Sequence, residues 1–349
     1  MSISAINVSE LTYTQRIDAE CYQPIFLENF DFLKRKSKYP VVTLGSLLTS
    51  ITGGATPLGA DYPESGVPFL RVQNIMQGYL DMSDVVYVSP DVHKGELKRS
   101  QLRSGDVLLT ITGMSYGKAA YVPPNFGEAN INQHSVRIAL KPDVLPEYVA
   151  MFLNSRLGKL QSDSKITGDT RPALDYEEIR TIILPVPPLA KQEVVRLKLH
   201  QAEKQRLLSL QLYADAENLL ASKLGLDKVD LSDDICSVRN VSDVKKFGRI
   251  DAEFYQEKYI RFARQLEKCK NKGWATESIA NLSAPLKYGS STKLEYIESG
   301  VPFLRIADIS RYRFDFDEIK YISFEAAQEE SLQAKVKFED AFYNRDDKT

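Results

Sequence analysis

The sequence has few of the residues that build disulfides and metal sites. It contains three cysteines and three histidines in 349 residues, and no two cysteines have CxxC spacing. Because no metal-ligand spacing occurs, we expect no metal site, and three isolated cysteines favour a protein of the reducing cytoplasm. The six residues are Cys21, Cys236, Cys269, His93, His134 and His200.

Long apolar runs and a large net charge are also missing. No apolar stretch approaches the roughly 18 residues of a membrane span, and the N-terminus lacks a basic region followed by an apolar one. We therefore expect neither a transmembrane helix nor a signal peptide. The formal net charge of −2 excludes a uniformly basic surface but allows a local one. With 43% hydrophobic residues, the chain is predicted to form two or three globular domains.

Three segments contain the residue types of catalytic motifs, but with the wrong spacing or order. The segment 90–98 contains the residues of a nuclease core, but its acidic positions are too close together to lie on two strands, so a charged helix or turn is favoured. GMSYGKA at 113–119 lacks the spacing of a phosphate-binding loop. PPNF at 123–126 contains the residues of the NPPF motif of adenine methyltransferases, but in the wrong order. We expect no catalytic residues and no cofactor.

The chain contains an internal repeat. The octapeptide ESGVPFLR occurs at 64–71 and at 298–305, and RIDAECYQPIF at 16–26 matches RIDAEFYQEKY at 249–259. Solenoid repeats run about 20–50 residues, so copies this far apart predict a duplicated domain. The second copy ends with AFYNRDDKT, which is not typical of a strand, and we expect this copy to be incomplete.

Short apolar runs between Gly, Pro, Asn and Asp predict a β-rich first domain. Helices are predicted at 15–36, at 146–161 and after a cap at Asp175. The predicted strands are Val67–Val72, Val85–Val88, Val107–Thr112, Ala119–Val122 and Ser135–Leu140.

A single long helix is predicted after the prolines at 185–188. No Gly or Pro occurs from Leu189 to Leu224, and Gly225 is suited to end the helix. Such a rod is about 54 Å long, and one apolar stripe along it would need a partner surface. The predicted stripe is Val195, Leu199, Ala202, Leu208, Leu212, Ala216 and Leu219.

These motifs together resemble the specificity subunit of Type I restriction–modification systems. The resemblance extends from Arg16 to about Asp340 and rests on the order of RIDAECYQ, ESGVPFLRVQNI, SGDVLLTITG, GDTRPALDYEEI and ILPVPPLAKQE. It implies an α+β fold in which a mixed α/β target-recognition domain is followed by a coiled-coil-type spacer helix and a second, incomplete recognition domain.

The resemblance also implies function. Members of this family are non-catalytic; they bind a bipartite site in double-stranded DNA and direct DNA methyltransferase subunits and restriction subunits to it. The predicted domains are an N-terminal helical segment at 1–40, a first target-recognition domain at 41–186, the spacer helix at 187–226, a linker with the repeat of the N-terminal segment at 227–270 and a truncated second recognition domain at 271–349.

The repeat separates scaffold from candidate DNA contacts. Positions identical in both copies are expected to be scaffold, so Arg71 and Arg305 are interpreted as structural arginines. Unshared polar loops are candidates for DNA contact, because amide and guanidinium groups suit base edges whereas hydroxyls and backbone amides suit phosphates. The candidates are Thr56, Thr112, Gly113, Tyr116, Lys118, Asn132, Gln133, His134, Thr170 and Arg171.

Two alternatives stay open at this point. The chain could be a remnant that does not recognise DNA and at most scaffolds methyltransferase subunits, or serves as a recombination cassette. A second copy of the chain could also cover the spacer helix and form a two-fold homodimer.

Overall fold

The computed structural model describes residues 18–59, 62–113, 115–168, 172–232, 236–283, 289, 294–310, 313–314, 316 and 319–329. The chain divides into two compact units, Met1–Glu217 and Asn218–Thr349. Both units combine helices and strands, which confirms the predicted α+β class. Within the described part, no helix is both long enough and apolar enough to cross a membrane.

Helices of the first unit follow the predicted order. A 3₁₀ turn precedes the first α-helix, where one continuous helix was expected. The helices are α1 (Pro24–Lys36), α2 (Leu44–Leu47), α3 (Pro90–Lys94), α4 (Pro146–Asn154), α5 (Arg156–Lys165), α6 (Tyr176–Thr181) and α7 (Leu189–Leu224), the last of which continues into the second unit.

Strands of the first unit form three sheets. Their orders are β2-β8-β5-β6, which is antiparallel, β4-β3-β7, in which β3 and β7 are parallel, and β1-β9. The strands are β1 (Val41–Thr43), β2 (Leu48–Gly53), β3 (Val67–Leu70), β4 (Val86–Val88), β5 (Val107–Thr110), β6 (Ala119–Tyr121), β7 (Asn130–Ile131), β8 (Ser135–Leu140) and β9 (Ile183–Pro185).

The four-stranded sheet is covered on both faces. Leu109 on one face of β5 packs in a core cluster with Leu153 of α4 and Ile179 of α6. Leu108 on the opposite face packs with Ile131 of the three-stranded sheet. All four residues of β5 are therefore buried, which explains why this strand is a continuous apolar run rather than an alternating one.

The helix predicted at 146–161 is two helices. The Ser155 Oγ caps α5 by accepting from the Gly158 N–H at 3.3 Å, while the Ser155 N–H donates to the last turn of α4. A Cβ on Gly158 would lie 2.2 Å from the Phe152 carbonyl oxygen, so the bend requires glycine there. A capping serine and a close backbone approach thus interrupt a periodic apolar pattern.

The long helix α7 has the predicted bounds. Gly225 follows it with φ of 66°, the left-handed conformation that ends helices. Its first turns are anchored to the first unit by Gln192, whose side chain is fully buried. The Gln192 Nε2 donates to the Pro187 carbonyl at 2.8 Å, and its Oε1 accepts from the Leu145 N–H at 2.8 Å.

The stripe predicted along α7 does not lie on one face. Leu199 packs against the core of the first unit, and Val195 is half-buried. Nine residues of α-helix rotate by about 900°, so Leu208 lies half a turn away from Leu199. Leu208, Leu212 and Leu219 are 55%, 58% and 60% exposed. Ala202 and Ala216 are also exposed.

We call the side of α7 opposite Leu199 the outward face. The helical period places two further apolar side chains there, both more than half exposed. The outward face comprises Val194, Leu197, Leu208, Leu212 and Leu219.

The second unit repeats part of this architecture. Its 3₁₀ turn at Glu253–Tyr255 precedes a longer helix, as Ala19–Tyr22 precedes α1. The elements are α8 (Val241–Phe247), α9 (Glu257–Asn271), α10 (Ile279–Leu282), α11 (Phe324–Glu329), β10 (Val301–Phe303), β11 (Ile309–Ser310), β12 (Arg313–Phe314) and β13 (Lys320–Ile322).

The two octapeptides form the same hairpin-like pair. Val67 pairs with Val88 in the first unit, and Val301 pairs with Ile322 in the second, so the register is identical. A Cβ on the glycine before either strand would lie within 2.4 Å of the partner strand's carbonyl oxygen. The repeat therefore preserves residues that the backbone geometry requires.

Arg71 and Arg305 have the same structural role. The Arg71 N–H donates to the Asn74 Oδ1 at 2.9 Å, and the Arg305 N–H donates to the Asp308 Oδ2 at 2.7 Å. The Arg71 guanidinium also donates to the Asp84 carbonyl at 2.9 Å. Hydrogen bonds from Arg305 hold the pKa of Asp308 below its usual range. Both arginines form hydrogen bonds within the turn that follows their strand, as expected for scaffold residues.

The anchor of α7 gives a first prediction. Gln192→Ala leaves the partly buried Leu145 N–H and the Pro187 carbonyl without partners, which should lower the free energy of unfolding by about 2–4 kcal/mol. Urea unfolding of the full chain, followed by circular dichroism, measures this. The control Gln201→Ala removes an exposed amide from the same helix and should change stability by less than about 0.5 kcal/mol. Equal midpoints for the two variants would contradict the anchoring role.

Candidate nucleic-acid interface

Two of the predicted loops continue the pairing of β2 with β8. Past the last strand pair, the Gly54 N–H donates to the Ser135 carbonyl at 3.0 Å, and the Ala55 N–H donates to the Ile131 carbonyl at 3.1 Å. A Cβ on Gly54 would lie 2.0 Å from the Asn132 carbonyl oxygen. The glycine pair in GGATP therefore allows the two loops to lie side by side.

Side chains join the same loops and a third one. The Thr56 hydroxyl donates to the Gln133 side-chain oxygen, and both residues are exposed. The Thr112 Oγ1 lies 2.7 Å from the His134 Nδ1. Three loops that are separate in sequence thus meet along one edge of the four-stranded sheet. We call the residues 53–57, 112–118 and 130–135 the loop edge.

The fourth predicted loop reaches the loop edge at its base. The Gly113 N–H donates to the Pro172 carbonyl at 3.1 Å, and the Leu174 N–H donates to the Ile111 carbonyl at 2.9 Å. Thr167 and Ala173 are paired through two backbone hydrogen bonds of 2.9 Å. Thr170 and Arg171 lie outside the described residues. Because the Gly113 N–H is used within the protein, it is not available to a phosphate, contrary to its expected role.

Tyr116 is held within a polar cluster. Its hydroxyl donates to the Asp163 Oδ1 at 2.8 Å, and the Lys159 Nζ lies 3.7 Å from its ring centroid and 2.6 Å from the same carboxylate oxygen. Burial and the Asp163 carboxylate raise the pKa of Tyr116 far above its usual range, so the phenol stays protonated. These contacts give Tyr116 a positioning role in the loop. Lys159 and Asp163 were not predicted from the sequence. Their i, i+4 spacing on a helix is the pattern that would have indicated an ion pair.

Lys118 directly precedes β6 and is half-buried. Its N–H donates to the Thr110 Oγ1 at 3.0 Å, and its carbonyl accepts from the Thr110 N–H at 2.9 Å. Within the described residues, its ammonium has no acceptor at hydrogen-bonding distance. The backbone is therefore fixed while the charge remains available to a ligand.

Neighbouring amides on the loop edge differ in environment. Asn132 is only 9% exposed, and its Oδ1 accepts from the His134 N–H at 3.3 Å, whereas Gln133 is exposed. Asn130, fully buried, donates to the Leu97 carbonyl at 2.9 Å. Asn132 thus shapes the turn and presents little surface to a ligand, which argues against the predicted base contact.

Two further residues border the loop edge and were not predicted. The Glu96 Oε1 accepts from the Leu58 N–H at 2.9 Å, which ties down the loop after β2. The Tyr176 hydroxyl lies where a Cβ on Gly53 would be, so this glycine makes room for it. Tyr176 is 38% exposed. Its place beside the loop edge depends on the topology, and nothing in the local sequence indicates it.

The described residues contain no group of three or more His, Cys, Asp or Glu side chains that could hold a metal ion. The segment 90–98, which contains the residue types of a nuclease core, is α3 followed by a turn, as expected from its spacing. What the loop edge offers is hydrogen-bonding side chains and one lysine, which suit the binding of a polar, anionic ligand.

Comparisons with known proteins agree with this chemistry. The family model for the Type I restriction modification DNA specificity domain matches residues 36–215, just over half of the chain. The EcoKI specificity subunit of Escherichia coli (strain K12) is 22% identical over 309 residues, covering 88% of this chain and 60% of that protein. The EcoBI specificity subunit of Escherichia coli is 24% identical over 140 residues, covering 38% of this chain and 28% of that protein.

The chain therefore spans less than two thirds of the length of these curated relatives. A solved structure, the HsdS subunit from Thermoanaerobacter tengcongensis, is 16% identical with a TM-score of 0.36, and the match covers 52% of this chain and 43% of that one. On the strength of the matched domain, the chain belongs to the family of Type I restriction modification DNA specificity domains.

Proposed function

We propose that this chain recognises a specific sequence in double-stranded DNA and directs DNA methyltransferase and restriction subunits to a bipartite site. In this role the chain is a specificity subunit without catalytic activity of its own. The observation that carries the proposal is the loop edge, where three polar loops that are distant in sequence lie together at one end of the four-stranded sheet. Family membership supports the same role.

The duplication supports the assignment of this edge. The residues of the octapeptide shared by both units form strand pairs and turns. Arg71 and Arg305, for example, donate their N–H groups to side chains of the following turn. Domains that share a scaffold but recognise different half-sites must differ elsewhere. The loop edge lies outside the shared octapeptide, on elements that can vary without disturbing the strand register.

Individual residues are suited to different parts of DNA. We propose that the exposed Gln133 amide contacts a base edge with Thr56 and His134 beside it, since amide side chains recognise adenine. Lys118 contributes a positive charge to the phosphate backbone or to guanine. Thr170 and Arg171 keep their predicted roles as DNA contacts, and Thr112 and Tyr116 position the loops.

A second candidate function is a remnant that scaffolds methyltransferase subunits without recognising DNA. The exposed apolar outward face of α7 favours some partner, because each leucine buried there would stabilise a complex by roughly 1.5–3 kcal/mol. The loop edge favours recognition. The two candidates differ in whether the protein selects a DNA sequence.

Selection from a random duplex library distinguishes them. The purified full chain should enrich duplexes that share a defined sequence over successive rounds. A remnant that only scaffolds partners would recover unrelated sequences or none. Enrichment that disappears in Gln133→Ala but persists in the exposed-surface control Gln201→Ala would assign selectivity to the loop edge.

A charge prediction concerns Lys118. Lys118→Ala should weaken duplex binding about 3–10-fold and lower the slope of log affinity against log salt by about 1, because one phosphate contact is lost. Lys141→Ala is the control at the opposite end of the β2–β8 pair, beside the Leu48–Leu140 pairing, where the Lys141 Nζ donates to the Ser46 carbonyl at 2.7 Å. Fluorescence anisotropy at several salt concentrations measures both. Equal effects of the two changes would contradict the proposed contact.

A further prediction concerns the outward face of α7. We propose that a second copy of the chain covers it by packing the two helices antiparallel about a two-fold axis. Leu212→Glu should dissociate this dimer, because it places two like charges in an apolar contact. Leu210→Glu is the matched control, since Leu210 is 55% exposed and lies about 160° away around the helix.

Sedimentation velocity at micromolar concentration decides the question. A dimer that persists in Leu210→Glu and is lost in Leu212→Glu supports the proposal. A wild-type monomer would exclude the homodimer and leave methyltransferase subunits as the occupants of this face.

A further inference from the structure

The second unit contains an open groove of about 640 Å³ between the end of α7 and the helix α9. Basic side chains dominate its lining, which includes one acidic residue, Asp230. We call this the basic groove and define it by Lys223, Lys228, Arg261, Arg264, Lys268 and Lys272.

Among the described residues, two carboxylates interact with this charge: Asp230, and Glu257, whose pKa is lowered first by a hydrogen bond from Arg239 and also by the charges of Arg264 and Arg261. Asp230 pairs with Arg261, whose Nη1 lies 3.1 Å from the Asp230 Oδ2 and 2.7 Å from its carbonyl oxygen. Across the described ranges, none of the other five basic side chains belongs to an ion pair. A concentration of like charge in one concave surface repels itself, and an anionic ligand would relieve that repulsion.

Helix electrostatics explain only a small part of the charge. The groove lies at the C-terminal end of α7, and basic residues commonly stabilise that end. The helix dipole there corresponds to about half an elementary charge, which one lysine would balance. Lys223 in the last turn is sufficient for this purpose. The remaining basic residues need another explanation.

The frame of the groove is well defined. The Gln265 Nε2 donates to the Leu224 carbonyl at 2.6 Å, and the buried Cys269 Sγ lies 3.2 Å from the same oxygen. Both side chains belong to α9, so this helix is fixed against the end of α7 within the second unit. The basic side chains on the same stretch of α9 therefore have a rigid base.

The repeat provides an internal comparison. The RIDAE segments align α1 with α9 so that Glu28 corresponds to Arg261 and Asp31 corresponds to Arg264. Both helices follow the same 3₁₀ turn and begin after a glutamine with nearly identical backbone angles. The scaffold therefore accepts acidic residues where the second copy carries arginines. At these two positions the positive charge is not required by the fold, whereas Lys268 corresponds to Arg35 and is therefore basic in both copies.

We propose that the basic groove binds the phosphate backbone of duplex DNA independently of sequence. Arg261, Arg264 and Lys268 follow one face of α9 over about 10 Å, the axial length of about three phosphates on one strand. This contact rests on the proposed DNA-binding function and adds a second anchoring point, one that lies in a different unit from the loop edge. It strengthens binding to every duplex and does not discriminate between sequences.

A charge reversal tests the groove in the full chain. The double variant Arg264→Glu, Lys268→Glu should weaken binding to a labelled duplex of arbitrary sequence about 10-fold or more and lower the salt slope by about 2. The matched control Lys245→Glu, Lys270→Glu makes the same change in net charge at two exposed residues outside the groove. It should weaken binding less than about 3-fold. Arg264→Gln, Lys268→Gln should give an intermediate loss, and circular dichroism establishes that each variant is folded.

The outcomes separate this proposal from the proposed function. If the wild type binds no duplex, both fail. If the wild type binds and the groove variant equals its matched control, the groove proposal alone fails. Loss of a methyltransferase subunit from the groove variant with unchanged duplex binding would identify a protein-docking surface and would also overturn the proposal.

Discussion

The pairing of β2 with β8 determines the geometry of the candidate DNA-binding surface. The hydrogen-bonded ladder continues past the strand ends, where the Gly54 N–H donates to the Ser135 carbonyl. Because β8 also pairs with β5, the loop after β5 is held beside the same turn, and Thr112 meets His134. A shift of one residue in this register would move the polar loops apart and exchange Val136 and Ile138 of the apolar core with Arg137 on the opposite face of β8. The proposed DNA-contacting surface therefore depends on a backbone constraint that involves no contact with a base.

Duplication shows which residues of the β3–β4 pair are fixed by backbone geometry. The two octapeptides keep the same strand register, the same close approach at their glycine and the same arginine-led turn. The glycine of the close backbone approach and the arginine of the turn are identical in both copies, whereas the residue that accepts from the arginine N–H is Asn74 in one and Asp308 in the other. Surface charge also differs, as at Asp31 and Arg264. A duplicated scaffold can thus carry two different ligand surfaces, since few surface positions are needed for folding.

Sequence patterns predicted the elements better than their arrangement. The bounds of α7 follow from an uninterrupted run without Gly or Pro, and its end follows from Gly225. The apolar stripe was wrong as a single face, because the step from Leu199 to Leu208 does not match the helical period. The predicted loops do come together, yet nothing local distinguishes the buried Asn132 from the exposed Gln133. That difference depends on a turn formed between distant strands.

The central claim is that the loop edge contacts DNA bases. Photo-cross-linking to duplexes that carry 5-iodouracil at successive positions, followed by mass spectrometry, locates the contact directly. The account predicts cross-links within 53–57, 112–118 and 130–135, and none on the shared strand β3. Cross-links confined to parts of the first unit away from the loop edge would contradict it.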